Sequence, residues 1–89
     1  MLNDFKKIMK KQYGIDNVEL TSNFKTDFGL TSYDFINLIC IIEKKYKIEL
    51  DENDYRNLNT VGDLIHYLED RIWKFFLEIK NILIRLLMI

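Results

Sequence analysis

Apolar residues recur every three or four positions along most of this chain, and each such run begins or ends on residues that cap or stop a helix. Leu2, Phe5, Ile8, Met9 and Tyr13 fall on one side of a first helix, with Lys6, Lys7, Lys10 and Lys11 on the other and Gly14 just past its end. A second helix is predicted over about 32 to 46, with Thr31 or Ser32 as N-cap and Asp34 in the first turn, where a carboxylate meets the positive end of the dipole. Its inner stripe is Phe35, Leu38, Ile39, Ile42 and Tyr46. At about 100° per residue, Tyr33, Ile36, Cys40 and Lys44 share the opposite face. A helix apolar on both sides needs a second partner, so that outer face is expected to be a contact surface. Residues 51 to 57 suit a short third helix. Thr60 with Asp63 three positions on approximates a capping box for a fourth, whose inner face is Val61, Leu64, Ile65 and Leu68.

Two stretches depart from this simple alternation. Residues 15 to 31 hold no sustained period, and Thr21, Ser22, Asn23 and Gly29 are loop chemistry. Ile15, Val18, Leu20, Phe24, Phe28 and Leu30 are nevertheless too apolar for a free linker, so the loop should fold onto the core. Ordered loops of this length are more often functional than short ones. The second stretch, residues 71 to 89, continues the fourth helix with no break. Ile72, Phe75, Ile79, Ile82, Leu86 and Ile89 alternate by three and four, and Phe76, Leu83 and Leu87 widen that seam. Trp73, Phe75 and Phe76 read as a contact cluster. Lys74, Glu78, Lys80 and Arg85 interrupt the apolar run too often for a membrane span, which needs about twenty mainly apolar residues. Three homes suit such a helix: self-association, packing across the body, or an anionic membrane surface.

An 89-residue chain with no proline and three glycines has room for one small helical domain, residues 1 to 70, followed by an amphipathic helical extension, residues 71 to 89. A formal net charge of −1 argues against general nucleic-acid binding, which draws on surplus Lys and Arg. The average conceals an acidic body, with nine basic and thirteen acidic residues, and a basic extension, with four and one. One cysteine, Cys40, forms no internal disulfide, and the amino-terminal residues lack the apolar core of a signal peptide, so a reducing cytoplasm is expected. His66 is the lone histidine and lies off the apolar stripe. His/Cys metal clusters and a Ser-His-Asp triad therefore have little material, and neither a metal site nor an enzyme is expected. Asp51, Glu52 and Asp54 lack the spacing of a calcium loop and read as an acidic helix start.

The remaining candidate is Ser32, where the irregular stretch turns into the second helix. A hydroxyl there is reachable by an enzyme, and the free N–H groups of a helix start favour an incoming phosphate. The order of elements, Gly29-Leu30-Thr31-Ser32, Ile48-Glu49-Leu50 before an acidic turn, and Thr60-Val61-Gly62-Asp63-Leu64 together resemble the acyl carrier protein family over about residues 2 to 69. The resemblance implies an all-α four-helix bundle. It also implies a 4′-phosphopantetheine arm esterified to Ser32 by a phosphopantetheinyl transferase, with acyl groups held as thioesters and passed among acyl-transferring or condensing enzymes. Tyr33, Asp34, Ile36, Asn37 and Cys40 would then meet those partners.

The chain departs from the family in two places. Thr31-Ser32-Tyr33 stands where the family commonly has Asp-Ser-Leu. Residues 32 to 50 balance three acidic against three basic side chains, where fatty-acid carriers are usually strongly acidic. Weaker steering by charge points to a dedicated carrier in a specialised fatty-acid, lipid or polyketide pathway, or one for aminoacyl groups. The rival from another class is a helical interaction protein that oligomerises through residues 71 to 89 and bears no arm.

Overall fold

Two threonines set the frame of the fold. In the computed structural model, which describes residues 1 to 88, the order is α1 (Leu2–Tyr13), a long loop, α2 (Ser32–Tyr46), α3 (Glu52–Tyr55) and α4 (Val61–Leu87). Thr31 caps α2 and Thr60 caps α4. Each side-chain oxygen accepts from the backbone N–H three residues on, and Asp34 or Asp63 at that position accepts from the threonine's own N–H. Such reciprocal caps satisfy two donors that a helix start would otherwise leave open. Gly14 closes α1 in the left-handed conformation, and Lys47 takes the same conformation to close α2.

The expected stripes converge on one core. Phe5, Ile8 and Met9 from α1, Leu38, Ile39 and Ile42 from α2, and Val61, Leu64, Ile65 and Leu68 from α4 are all buried. Among the described residues no polar or charged side chain is buried with them. Phe35 and Tyr46, the outer members of the α2 stripe, are half-buried against this cluster. The third helix is shorter than residues 51 to 57. Asp51 is its cap, and the chain leaves the helix after Tyr55 in a turn that carries Leu58 and Asn59 back to the loop.

That loop is fastened by backbone as much as by side chains. Val18, Phe24 and Leu30 are buried as expected, but Leu20 is half exposed. Its contribution is its carbonyl, which accepts from the Gly62 N–H at 2.8 Å, while Ser22 O accepts from Val61 N–H and Asn59 O from Phe24 N–H. An added Cβ at Gly62 would stand 3.0 Å from Leu20 O, so glycine permits the close approach. Phe24 is the hub. Its ring meets Phe35 at 5.0 Å between centroids and both Phe5 and Phe28 at 6.3 Å.

Asp63 makes the cap on α4 dependent on pH. Hydrogen bonds from the Thr60 N–H first, then the Thr60 hydroxyl and Asn59 N–H, hold its carboxyl below the ordinary 3.8. A depressed carboxylate contributes stability that is present above its unfolded value and disappears as pH falls through its folded value. The melting-temperature gap between wild type and Asp63→Ala should therefore hold from pH 7 to about 4 and close below that. A gap that stayed constant to pH 2 would show the capping bonds to be indifferent to ionisation.

Beyond Leu68, α4 leaves the body as one uninterrupted helix. It gives the molecule its 53 Å long axis against 25 and 21 Å across. Ile72 is half-buried, but Trp73 and every described residue after it are exposed, up to Leu87 at 85 % and Met88 at 82 %. The chain does not fold the extension back across its own body. Trp73 stacks on Phe76 with centroids 6.4 Å apart, whereas Phe75 lies away from them beside Lys47 and Ile48, so the three aromatics form no single cluster. Ile89, the last position of the sequence seam, lies outside the described residues. Among the described residues no helix is long and apolar enough to cross a membrane.

Candidate functional site

The start of α2 holds a hydroxyl in the open without using it for folding. Gly29, at φ 65°, makes the left-handed turn that sends the chain from the loop into the helix, and Leu30 immediately after it is buried as an anchor. Thr31 then takes the cap: its Oγ1 accepts from Asp34 N–H at 3.1 Å, and Asp34 Oδ2 accepts from Thr31 N–H at 3.0 Å. Ser32 is left as the first helical residue, exposed and outside both capping bonds. The 15-residue helix behind it points the positive end of its dipole at that position.

Beside Ser32 a groove of about 230 Å³ opens between α2 and α3. Phe24, Leu30, Phe35 and Tyr55 give it an apolar floor, and Lys25 and Arg56 border it. Burial pushes the Tyr55 phenol above its ordinary 10.0, with the Glu52 and Glu43 carboxylates adding to the shift, so at neutral pH it is an uncharged wall. Arg56 is held by Glu52 at 3.2 Å on its own turn. The site thus combines a rigidly placed primary alcohol, a field that favours an anion bonded to it, and an apolar recess within reach. These features fit a phosphodiester-linked arm with an apolar load. They offer no catalytic constellation, and among the described residues no group of His, Cys, Asp and Glu could hold a metal.

Tyr33, Ile36, Asn37 and Cys40 all lie exposed along α2, with Tyr33 79 % and Ile36 47 % accessible. Asp34 differs from them. It is half-buried, one carboxylate oxygen serves the cap, and its backbone carbonyl accepts from the Tyr13 hydroxyl at 3.0 Å, tying α1 to the first turn of α2. Burial raises the Tyr13 pKa, the nearby Asp34 charge adds to it, and a hydrogen bond with Asn37 opposes it. Lys25, Tyr55 and Arg56 did not emerge from the sequence as site residues because the loop and α3 reach the groove only through folding. The capping box at Thr31 and Asp34 has the same spacing as that at Thr60 and Asp63, but the sequence left Thr31 and Ser32 as equal candidates for the cap and the fold chose Thr31.

The family model described as "Phosphopantetheine attachment site" matches residues 3–68, which are α1 to the buried part of α4. The acyl carrier protein of Chlamydia muridarum (strain MoPn / Nigg) is 39% identical over 70 residues, covering 76% of this chain and 91% of the relative. That of Chlamydia caviae is likewise 39% identical, and that of Chlamydia trachomatis serovar D 37% identical, over the same coverage. With an exposed serine at a helix start, a four-helix body and these matches across it, the chain belongs to the acyl carrier protein family, whose members hold acyl groups on covalently attached 4′-phosphopantetheine and are not themselves catalysts.

Proposed function

We propose that Ser32 is the attachment residue and that residues 1 to 70 form the carrier domain, with residues 71 to 89 as a helical extension. The observation that carries this reading is the division of labour at the helix start: Thr31 and Asp34 make the cap, and Ser32 contributes only an exposed hydroxyl. A serine engaged in capping would have to break that bond to react; this one does not. In the loading step the Ser32 Oγ attacks the coenzyme A phosphorus that carries the pantetheine, the pyrophosphate P–O bond breaks and the adenosine bisphosphate half leaves with its electron pair, and the hydroxyl proton passes to the transferase. When attached, the arm supplies a thiol on which an acyl group is held as a thioester. The dipole of α2 favours the phosphodiester, and the groove lined by Phe24, Phe35 and Tyr55 shelters the first part of an apolar cargo from water.

The partner face in this reading is the exposed strip Tyr33, Ile36, Asn37 and Cys40, with Asp34 fixing the turn from which it projects. Residues 32 to 50 carry no net charge, so partners recognise this strip by shape and apolar contact more than by electrostatic steering. That favours a dedicated set of enzymes in a specialised fatty-acid, lipid or polyketide pathway, in the cytoplasm. Ile36→Glu is the direct test. It should slow loading by a phosphopantetheinyl transferase, or acyl transfer from the loaded chain, by at least about tenfold, or roughly 1.4 kcal/mol. Stability should change by no more than about 0.5 kcal/mol, since the side chain is exposed. Unchanged rates on a folded variant would remove this strip from the partner interface.

A further inference from the structure

The exposed seam of residues 71 to 89 is not a separate feature from the core. Val61, Ile65 and Leu68 face the interior of the body at 0 to 5 % exposure. The same alternation of four and three continues through Ile72, Phe75, Ile79, Ile82 and Leu86 with no slip in register and no break in the helix. An α-helix drifts only about 20° per heptad against such a repeat, so the seam leaves the body on the side that faces its core. Phe75, Ile79, Ile82 and Leu86 are 41 to 65 % exposed because α1 and α2 have ended by this point, with Lys47 and Ile48 standing beside Phe75 at the edge of the body.

We propose that a second copy of this chain fills that position, its own extension lying antiparallel along the seam to form a two-fold dimer. The body itself selects the shape of the partner. It stands on the same side of α4 as the seam, in a molecule 25 by 21 Å across, so it holds a flat surface such as a bilayer away from the first part of the seam, whereas a single helix about 10 Å wide fits beside it.

Charge selects the direction. Lys74 is paired with Asp70 at 3.1 Å and Arg71 reaches the Glu49 carbonyl, while Glu78 and Arg85, among the described residues, make no ion pair within the chain. Both flank the seam on one side, seven residues apart, and Phe76 and Leu83 flank it on the other. With a two-fold axis crossing between Ile79 and Ile82, Glu78 of each copy meets Arg85 of the other, and Phe76 of each meets Leu83 of the other. A parallel pair would instead set Glu78 against the apolar flank.

Size is sufficient as well. Phe75, Phe76, Ile79, Ile82, Leu83 and Leu86 offer on the order of 100 Å² each at these exposures, which gives roughly 1,200 Å² over two copies, the lower bound of a stable interface. The extension leaves the body near Met1 and Lys47, at the opposite end from Ser32 and the groove beside α3. The dimer therefore presents its two Ser32 hydroxyls outward at its far ends, and the inference stands whether or not Ser32 carries the arm.

The experiment is sedimentation of the full-length chain at tens of micromolar, with charge reversals across the proposed contact. Wild type should sediment as a dimer. Glu78→Arg alone places two arginines together and Arg85→Glu alone places two glutamates together, so each should weaken dimerisation by at least tenfold. The double variant Glu78→Arg/Arg85→Glu, with the wild-type composition, should restore it. Helical content and a cooperative thermal transition by circular dichroism report that each variant is folded. A monomeric wild type, single reversals without effect, or a double variant that stays monomeric each overturns the proposal. So does a wild type that floats with vesicles of mixed neutral and anionic lipid while remaining a monomer in solution, which assigns the seam to a membrane surface.

Discussion

Ser32→Ala should fold as the wild type does and gain no phosphopantetheine mass when co-expressed with a phosphopantetheinyl transferase. The loss is complete because no other atom replaces the hydroxyl oxygen that becomes the ester. The fold survives because Ser32 is exposed at the first helical position, where alanine is a good helix former, and because Thr31 and Asp34 make the cap without it. Its stability should lie within about 0.5 kcal/mol of wild type. Thr31→Ala is the informative control. It removes the capping oxygen and should cost about 0.5 to 2 kcal/mol while leaving loading intact. Intact-mass measurement on both variants separates the two roles, and an alanine variant at position 32 that still gained the arm would place the attachment elsewhere.

Phe24→Ala should be the most damaging single truncation in the loop. Phe24 is 3 % exposed and its ring touches Phe5 of α1, Phe28 of the loop and Phe35 of α2. Removing a buried phenylalanine costs about 3 to 5 kcal/mol, a large part of the 5 to 15 kcal/mol that holds a typical domain together. The effect should also reach the site. Phe24 O accepts from Leu30 N–H at 2.9 Å and Phe24 N–H donates to Asn59 O at 3.0 Å, so the ring pins the backbone on both sides of the groove next to Ser32. Denaturant unfolding should show the loss, and loading of the folded fraction should slow. A variant less than about 1 kcal/mol weaker than wild type would mean that the aromatic cluster closes over the gap.

What could be read in the residues follows a single physical rule. Helical periodicity reports which side of a helix is apolar, and capping and stop residues report where it begins and ends; both are properties of a few consecutive residues. For that reason the limits of α1 and α2, the stripes of buried leucines and isoleucines, the second capping box and the exposure of Tyr33, Ile36 and Cys40 were all determined by the chain on its own. The candidate serine was legible in the same way, from the change of pattern at residue 32 and its resemblance to a known arrangement.

Other features depend on residues far apart in the chain and were decided only by folding. Whether Thr31 or Ser32 caps α2 was open in the sequence, because either hydroxyl suits a cap; the geometry that gives Thr31 both bonds with Asp34 chose between them. Leu20 looked like a core residue by composition, yet it serves through its carbonyl, since pairing the loop with the start of α4 turns its side chain toward solvent. Lys25, Tyr55 and Arg56 became neighbours of Ser32 by closure of the loop and α3 against α2. The sequence by itself determined the helices, their apolar faces and the candidate serine, because those are local. The tertiary structure alone decided which hydroxyl is free, what surrounds it and where the stripe of α4 passes out of its own core, because contacts between distant residues exist only once the chain has closed.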